Sequence, residues 1–350
     1  MSSQATQHAH VSLTSFLQEI APQDGSRKEL FTSVIPAVID AVGDIAKALQ
    51  KAHRVEQTGS ENVFGDDQLN VDVAAEKIIR DVFESRVPSV VTASSEEDPV
   101  EKPVHPGTAR PDDGGGATEN YTIGFDPLDG SSIITPNWTV GTILGVWDGP
   151  TAVGKHAAEQ QVASVLGLYG PRTTAIIAVR LPGAGNKPAC FEVGLGDDGS
   201  RDAEVLRTAV RLADAPYKTR YFAPANLRAA EQDQRYMALV ARYIREGYTL
   251  RYSGGLVPDV YHALIKGHGV YVSPVTGRSR AKLRRLYELF PIALVVECAG
   301  GKATDPTDGK SILDYVLRTT DERAGLVCGT PDEVEAAVKA LLGVAGGVRG

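Results

Sequence analysis

Apolar side chains return along this chain at two spacings, one typical of helices and one typical of strands. From Leu30 to Leu49 they recur every three or four residues, which predicts an amphipathic helix with a kink or break at Pro36. A second helix of this kind is predicted from Asp72 through Phe83. Further helices are predicted at residues 231–246, 258–264, 282–298 (with any bend at Pro291) and 331–342. Short apolar runs predict strands at residues 90–92, 121–125, 138–147, 174–179, 190–193, 249–252 and 269–272.

The alternation of strands and helices predicts a layered α/β protein, and 350 residues are enough for two lobes. We place the lobe boundary near Gly196–Gly199, which gives an N-terminal lobe at 25–198 and a C-terminal lobe at 199–350. Residues 1–24 are predicted to be disordered or weakly ordered. Residues 99–119, rich in Pro, Gly and Asp, are predicted to be a mobile surface insertion.

One turn carries the clearest chemistry. The apolar strand at 121–125 runs into the sequence DPLDGSS, residues 126–132. Pro127 fixes φ and Gly130 permits a φ that other residues resist, so a rigid tight turn is predicted at a sheet edge. A bare Asp-Pro or Asp-Gly is usually a plain surface turn, but the whole heptapeptide after an apolar strand favours a functional site.

Both kinds of group that phosphoryl chemistry needs occur in this turn. Mg²⁺ prefers oxygen ligands, and Asp126, Asp129 and the carbonyl of Leu128 could supply three. The amide groups of Gly130, Ser131 and Ser132 follow directly, and successive backbone donors form an anion site. The turn therefore predicts a metal site beside a phosphate site.

Other acids precede this turn, each with a plainer alternative. Asp72 could be only a helix-capping residue, and Asp66 could lie in a solvated loop. Glu96 and Glu97 follow the strand at 90–92 and, taken alone, indicate a solvated acidic loop. Their meaning changes if that strand lies beside the strand ending at Asp126, because both groups of acids would then meet at one end of the sheet.

Composition excludes several classes of partner. The net charge is −8 and no basic block offsets it, which argues against nucleic acid. No apolar run approaches the length of a membrane span, and the N-terminus resembles neither a signal peptide nor a transit peptide. The three cysteines, Cys190, Cys298 and Cys328, have neither metal spacing nor a paired framework. We therefore expect a reducing, cytoplasmic location.

These motifs together resemble the class I fructose-1,6-bisphosphatase superfamily. The resemblance rests on residues 125–132 read with 139–147. More narrowly, the chain is similar to the sedoheptulose-1,7-bisphosphatases of that superfamily, on Ile133 and on segments 169–174, 224–229 and 251–260. The similarity covers residues 25–342, nearly the whole chain.

The resemblance implies a five-layer α-β-α-β-α sugar phosphatase fold, a homodimer or homotetramer, and two to three Mg²⁺ per site, with Mn²⁺ as an alternative. It implies that Asp66 and Asp72, with Glu97, help activate the attacking water. It implies that the arginine at position 251 reaches across a subunit interface. The implied metal ligands are Glu96, Glu97, Asp126, the Leu128 carbonyl, Asp129 and Glu288. The implied substrate-binding residues are Gly130, Ser131, Ser132, Asn226, Arg251, Tyr252, Gly254, Leu256 and Lys282.

The implied activity is Mg²⁺-dependent hydrolysis of the 1-phosphate of sedoheptulose 1,7-bisphosphate, giving sedoheptulose 7-phosphate and phosphate. Fructose-1,6-bisphosphatase activity, alone or as well, is the nearest alternative. An inositol monophosphatase-like hydrolase is more distant, since a monophosphate has no second phosphate for Arg251 and Lys282 to bind. A non-catalytic sugar-bisphosphate sensor is the alternative from another class.

The sequence departs from the family pattern at four places. Ser273 stands where fructose bisphosphatases carry a tyrosine in the substrate loop. Asn120-Tyr121 replaces a Lys-Tyr pair, and residues 25–28 replace a nucleotide loop, which argues against AMP inhibition. No cysteine pair corresponds to the one that makes plastid sedoheptulose bisphosphatases light-regulated.

Overall fold

The computed structural model of the protein describes residues 10–61, 67–106, 119–183, 187–277 and 280–343. The strands are β1 Gln57–Glu61, β2 Asp67–Leu69, β3 Val90–Ser95, β4 Lys102–Pro103, β5 Tyr121–Asp129, β6 Val140–Asp148, β7 Gln161–Tyr169, β8 Thr173–Val179, β9 Ala189–Gly194, β10 Glu204–Arg207, β11 Tyr221–Pro224, β12 Thr249–Leu250, β13 Val270–Ser273, β14 Leu283–Arg284, β15 Lys302–Thr304, β16 Arg323–Ala324 and β17 Leu326–Gly329.

The α-helices are α1 Leu13–Ile20, α2 Ile35–Lys51, α3 Asn70–Arg86, α4 Ser131–Ile134, α5 Ala157–Gln160, α6 Gln234–Arg245, α7 Leu256–Lys266, α8 Phe290–Cys298 and α9 Pro331–Leu342. Short π-helical segments, Leu30–Val34 and Arg285–Leu289, lead into α2 and α8. No helix in these ranges is long and apolar enough to cross a bilayer.

Two mixed sheets organise the chain. The larger has eight strands in the order β10-β9-β8-β7-β6-β5-β3-β4, and the smaller has five in the order β12-β11-β13-β17-β15. Side chains alternate across the smaller sheet, so Ala223 and Tyr271 face one core while Phe222 and Val270 face another. Each sheet is therefore apolar on both faces and needs helices on both sides.

The helices supply five layers. Helices α1, α2 and α3 cover one face of the larger sheet, and α7 and α8 lie between the two sheets. Helices α6 and α9 cover the outer face of the smaller sheet. This order confirms the α-β-α-β-α fold that the resemblance implied.

Several boundaries differ from the sequence prediction. Residues 13–20 were expected to be weakly ordered, but they form α1, because Leu13, Phe16 and Leu17 bury an apolar face in the first core. Pro36 does not break its helix. It sits in the first turn of α2, where a missing N–H costs no hydrogen bond, and the preceding turn is π-helical.

The helix predicted at 282–298 begins three residues later than expected. Leu283 and Arg284 instead form β14, which pairs antiparallel with Ala324 and Arg323. The insertion predicted at 99–119 is partly in the sheet, since β4 pairs with Thr92 and Ala93. Residues 107–118 lie outside the described ranges.

Close packing between β6 and α7 predicts a sharp sensitivity at Gly141. A Cβ there would lie 2.5 Å from the Cβ of Val257 and 2.8 Å from the carbonyl oxygen of Gly167. We expect Gly141→Ala to lower the free energy of unfolding by about 1–3 kcal/mol, the usual cost of overpacking. Urea denaturation measures the change. Gly277→Ala is the matched control, because apart from its chain neighbours no atom of the described residues lies within 4 Å of a Cβ at that position. Equal stability of the two variants would contradict this packing.

Candidate metal centre and substrate site

The end of β5 places Asp126 beside the acids that follow β3. The two strands are parallel, with Ser94 opposite Gly124 and Ser95 opposite Phe125. The amide of Glu96 then donates to the carbonyl of Phe125 at 3.0 Å. Both groups of acids therefore end at the same edge of the larger sheet, as the prediction required.

A third acid reaches this edge from a distant part of the chain. Glu288 lies in the π-helical segment before α8, and its Oε2 accepts the amide of Arg284 at 2.5 Å. One carboxylate oxygen each from Glu96, Asp126 and Glu288 lies within 4.8 Å of the others. We call these three residues the acid cluster. In the described ranges they are the one group of acids, histidines or cysteines that meets this spacing.

Burial and mutual repulsion raise the pKa values within the acid cluster. Burial raises the pKa of Glu288 to about 7, and the nearby Asp129 adds to that effect. The pKa of Asp126 is raised well above its usual value, by burial first and then by Asp129 and Glu288. Without a cation these carboxyl groups therefore tend to hold protons that carboxyl groups in water would release.

The acid cluster fits a hard divalent cation. All of its donors are oxygens, and Asp126 and Glu288 are buried. Buried carboxylates normally pair or coordinate a metal, and oxygen ligands suit Mg²⁺ and Mn²⁺. Leu128, whose carbonyl is an implied ligand, lies between Asp126 and Asp129 in the sequence. The donor set thus supports the metal that the resemblance implied.

Arg284 contacts the acid cluster, and the sequence analysis did not select it as a site residue. Its side chain is 2% exposed, and its guanidinium forms an ion pair with Glu96. A buried cation against one member of the acid cluster orients that carboxylate and offsets part of the negative charge. The signal was present in the sequence only as an arginine four residues before Glu288.

Asp129 contacts the first residues of α7. Its two oxygens accept the amides of Leu256 at 3.0 Å and Val257 at 2.6 Å. It thereby caps the N-terminus of α7, where a negative charge is favoured. The structure does not bring its carboxylate into the acid cluster. Burial raises the pKa of Asp129 to about 6, while the two amide bonds oppose the rise.

Asp72 and Glu97 lie close to each other beside the cluster. Asp72 is buried near the start of α3, and its Oδ2 accepts the amide of Leu69 at 3.1 Å, so it does cap that helix. Its other oxygen is buried without a hydrogen-bond partner. Burial and then Glu97 raise the pKa of Asp72 to about 7. The carboxylate of Glu97 accepts a hydrogen bond from Nε2 of Gln68 at 2.6 Å. Asp66 lies outside the described ranges.

The predicted anion loop is open to solvent. Gly130 has φ +103°, a left-handed conformation that favours glycine, and it begins the short helix α4. Ser131 and Ser132 follow in exposed positions. The tight turn predicted from Asp126 begins later than expected, because β5 continues to Asp129 by pairing with Gly141 of β6. The hydroxyl of Thr142 in β6 donates to the carbonyl of Pro127 at 2.8 Å and supports this end of β5.

A second loop packs against this one. Gly254 has φ +107°, and a Cβ there would lie 3.2 Å from Cγ2 of Ile133. Asp259, which is buried and was not selected from the sequence, accepts the amides of Ser253 at 2.7 Å and Gly254 at 3.4 Å. Loop 251–255 is thus held to α7 by Asp259 and to the first loop by Ile133.

Two of the four predicted distal-phosphate residues begin this loop. Arg251, Tyr252 and Lys282 are exposed, and Asn226 has φ +50° at the start of a 3₁₀ turn. A cavity of about 600 Å³ is lined by Arg251 and Tyr252, but by no member of the acid cluster. Ser273 ends β13 and is half-buried.

The helix end near residues 25–28 is closed by a side chain of the protein itself. The Glu119 carboxylate accepts the amides of Glu29 at 3.2 Å and Leu30 at 3.3 Å, and the hydroxyl of Tyr121 at 2.6 Å. A second anion at this position would meet that carboxylate.

Comparison with known proteins agrees with this architecture. Residues 11–194 match the description "Fructose-1-6-bisphosphatase, N-terminal domain", and residues 215–342 match "Fructose-1-6-bisphosphatase, C-terminal domain". The chain is 37% identical to the chloroplastic sedoheptulose-1,7-bisphosphatase of Spinacia oleracea, over 81% of this chain and 67% of that protein. It is 36% identical to the Chlamydomonas reinhardtii counterpart, over 92% of this chain and 75% of that protein.

Solved structures with the same fold are also similar to this chain. A candidate sedoheptulose-1,7-bisphosphatase from Toxoplasma gondii has a TM-score of 0.81 at 35% identity, covering 96% of this chain and 99% of that one. The fructose-1,6-bisphosphatase of Leishmania major has a TM-score of 0.78 at 23% identity, covering 95% and 99%. The second comparison shows the fold alone.

The acid cluster predicts that Mg²⁺ stabilises the protein more as the pH rises. Because folding raises the pKa of Glu288 from 4.5 to about 7, this group stabilises the metal-free fold fully below pH 4.5 and loses that effect as the pH passes 7. Metal binding needs the same carboxylates ionised. We expect the rise in Tm caused by Mg²⁺ to be roughly 2–4 °C larger at pH 8 than at pH 6, measured by calorimetry.

Two variants make this measurement decisive. Asp126→Asn should stay folded, since it removes a buried charge, and should lose the Mg²⁺ response. Glu84→Gln, at an exposed acid of α3, should keep it. An undiminished Mg²⁺ response in Asp126→Asn would contradict the metal assignment.

Proposed function

This chain belongs to the fructose-1,6-bisphosphatase family, and from that premise we propose that it hydrolyses the 1-phosphate of sedoheptulose 1,7-bisphosphate with Mg²⁺ as cofactor. The products are sedoheptulose 7-phosphate and phosphate. The observation that carries the proposal is the meeting of Glu96, Asp126 and Glu288 at one sheet edge, beside an anion loop. Nothing else in the described ranges gathers oxygen ligands in this way.

Enzyme activity is favoured over a sensor function. The family consists of phosphatases that hydrolyse sugar bisphosphates, and the chain is an enzyme of that class. A sensor that had lost catalysis would be expected to lose metal ligands. Here the acid cluster is complete, and its burial is costly to maintain without a cation.

Each group has a proposed role at the reacting phosphate. Glu96, Asp126 and Glu288 hold the metal, joined by Glu97, Asp129 and the Leu128 carbonyl as the resemblance implies. Bound Mg²⁺ supplies charge neutralisation and lowers the pKa of water. Asp72, whose pKa of about 7 suits proton exchange, accepts the proton with Glu97 and Asp66. The amides of residues 130–132 donate to the phosphate oxygens.

The distal phosphate binds on the side of the smaller sheet. Arg251 donates as a planar guanidinium and Lys282 as a point charge, with Asn226 and Tyr252 beside them. Gly254 and Leu256 belong to the loop and helix end that connect this region to Asp129. The substrate is thus held at both phosphates by groups that a monophosphate could not engage together.

Fructose 1,6-bisphosphate is the second candidate substrate. The chain is 33% identical to the class 1 fructose-1,6-bisphosphatase of Syntrophotalea carbinolica, over 80% of this chain and 79% of that protein. The sedoheptulose bisphosphatase relatives are more similar, which favours the seven-carbon sugar. A homodimer or homotetramer and a cytoplasmic location complete the proposal and stay predictions.

Steady-state kinetics with both sugars tests the proposed substrate. We expect kcat/KM for sedoheptulose 1,7-bisphosphate to exceed that for fructose 1,6-bisphosphate by roughly tenfold or more, the range that one carbon can give. Phosphate release in Mg²⁺ is the readout, and Asp126→Asn should lose at least about a hundredfold with either sugar. Equal values would assign dual specificity, and a preference for the six-carbon sugar would overturn the seven-carbon assignment.

Arg251→Ala tests the distal-phosphate role. Loss of a charge-assisted contact of roughly 1.5–3 kcal/mol should raise KM about 10–100-fold and leave kcat within a few-fold. Arg245→Ala, at an exposed arginine at the end of α6, is the control and should change neither constant. An unchanged KM for Arg251→Ala would rule out the role.

Mixed oligomers decide whether Arg251 acts across a subunit interface. Arg251→Ala subunits keep the acid cluster, and Asp126→Asn subunits keep the arginine. If Arg251 serves the neighbouring subunit, mixing the two variants should restore low-KM activity in part of the sites. No restoration in a proven mixed oligomer would place Arg251 at the site of its own subunit.

A further inference from the structure

Arg251 rests against one aromatic side chain of its own chain. Its Cζ lies 5.7 Å from the centre of the Tyr221 ring, within the range of a cation–π contact. We propose that Tyr221 is a positioning residue for Arg251, holding the guanidinium in the orientation that binds the distal phosphate. This inference rests on the proposed function, because it requires Arg251 to contact that phosphate.

Backbone pairing brings the two residues together. Strands β11 and β12 are parallel, with Tyr221 opposite Thr249 and Phe222 opposite Leu250. The amide of Arg251 then donates to the carbonyl of Phe222 at 3.0 Å. Arg251 therefore directly follows β12 on the side of Tyr221, and this backbone pairing brings the two side chains into contact.

The Tyr221 ring is itself held in place. It packs edge-on against the ring of His262, with centroids 4.8 Å apart and an interplanar angle of 82°. The amide of Tyr221 donates to Nδ1 of the buried His268 at 3.1 Å. Nε2 of His268 lies 3.3 Å from Glu333, which also accepts the Tyr248 hydroxyl at 2.6 Å. The buried polar network thus fixes the backbone of Tyr221, and the ring packs against His262.

An aromatic ring can position the Arg251 guanidinium for phosphate binding without competing for it, as a carboxylate would. The other contact of its guanidinium is a donation from Nη1 to the carbonyl of Leu250 at 2.7 Å. Among the described residues, no carboxylate forms an ion pair with Arg251 within 4.0 Å. A carboxylate would compete with phosphate for the guanidinium, whereas a ring restricts its rotamers and leaves its donors available.

The proposal gives Tyr221 no part in the chemistry. The ring belongs to β11 of the smaller sheet, and the acid cluster lies at the edge of the larger one. Its loss should therefore weaken distal-phosphate binding without slowing the chemical step. The effect should also depend on Arg251, which a general structural role would not require.

Tyr221→Leu and Tyr221→Phe form a matched pair, since phenylalanine keeps the ring and leucine removes it. We expect Tyr221→Leu to raise KM for the bisphosphate roughly two- to fivefold, the range of an exposed cation–π contact, with kcat within twofold. Tyr221→Phe should match the unaltered protein. The Kd for sedoheptulose 7-phosphate, measured by calorimetry, should rise by the same factor in Tyr221→Leu.

The double variant Tyr221→Leu/Arg251→Ala separates positioning from structure. The proposal requires that Tyr221→Leu add nothing once Arg251 is gone. An equal rise of KM in both backgrounds would show a structural effect and overturn the inference.

If Arg251→Ala raises KM but Tyr221→Leu does not, the inference fails and the proposed function stands. If Arg251→Ala itself has no effect, the distal-phosphate role fails and the inference falls with it. Tyr221→Met replaces the leucine variant if that variant does not fold.

Discussion

Repulsion between buried carboxylates is the constraint around which this protein is built. Burial and mutual repulsion raise the pKa values of Asp126 and Glu288, so that without a cation these groups tend to hold protons that carboxyl groups in water would release. The fold bears this repulsion through rigid support from parallel strands, a π-helical turn and the buried Arg284. A divalent cation would offset this repulsion, which is why the oxygen donors of the acid cluster fit one.

Helix α7 connects this edge to the rest of the substrate site. Its first amides bind Asp129 at the end of β5, and its Asp259 holds the amides that follow Tyr252. The same helix packs so closely on β6 that Gly141 has no room for a side chain. The end of β5 and loop 251–255 are therefore connected through α7, and Asp129 makes one of these connections by capping the helix.

The sequence predicted correctly those elements that depend on residues close to one another in the chain. The α9 helix at 331–342 and the strand pair at residues 174–179 and 190–193 could be predicted directly, because each depends on neighbouring residues. The start of α8 and the place of Asp129 could not. Leu283 pairs with Ala324, and Asp129 binds an amide 128 residues away, so no short window contains both partners. The pairing of Arg284 with Glu96 is hidden for the same reason.

The choice between sugars follows from this rigidity. In the function we propose, the reacting phosphate binds through the metal that acids of the larger sheet would hold, and residues beside the smaller sheet bind the distal phosphate. Because α7 and loop 251–255 join the two without a flexible segment, the distance between them is set by the fold. One added carbon moves the distal phosphate by about one bond length, and charge-assisted contacts weaken steeply over that distance. Specificity therefore depends on where the guanidinium of Arg251 is held, and a single aromatic ring beneath it can tune that position without altering the metal site.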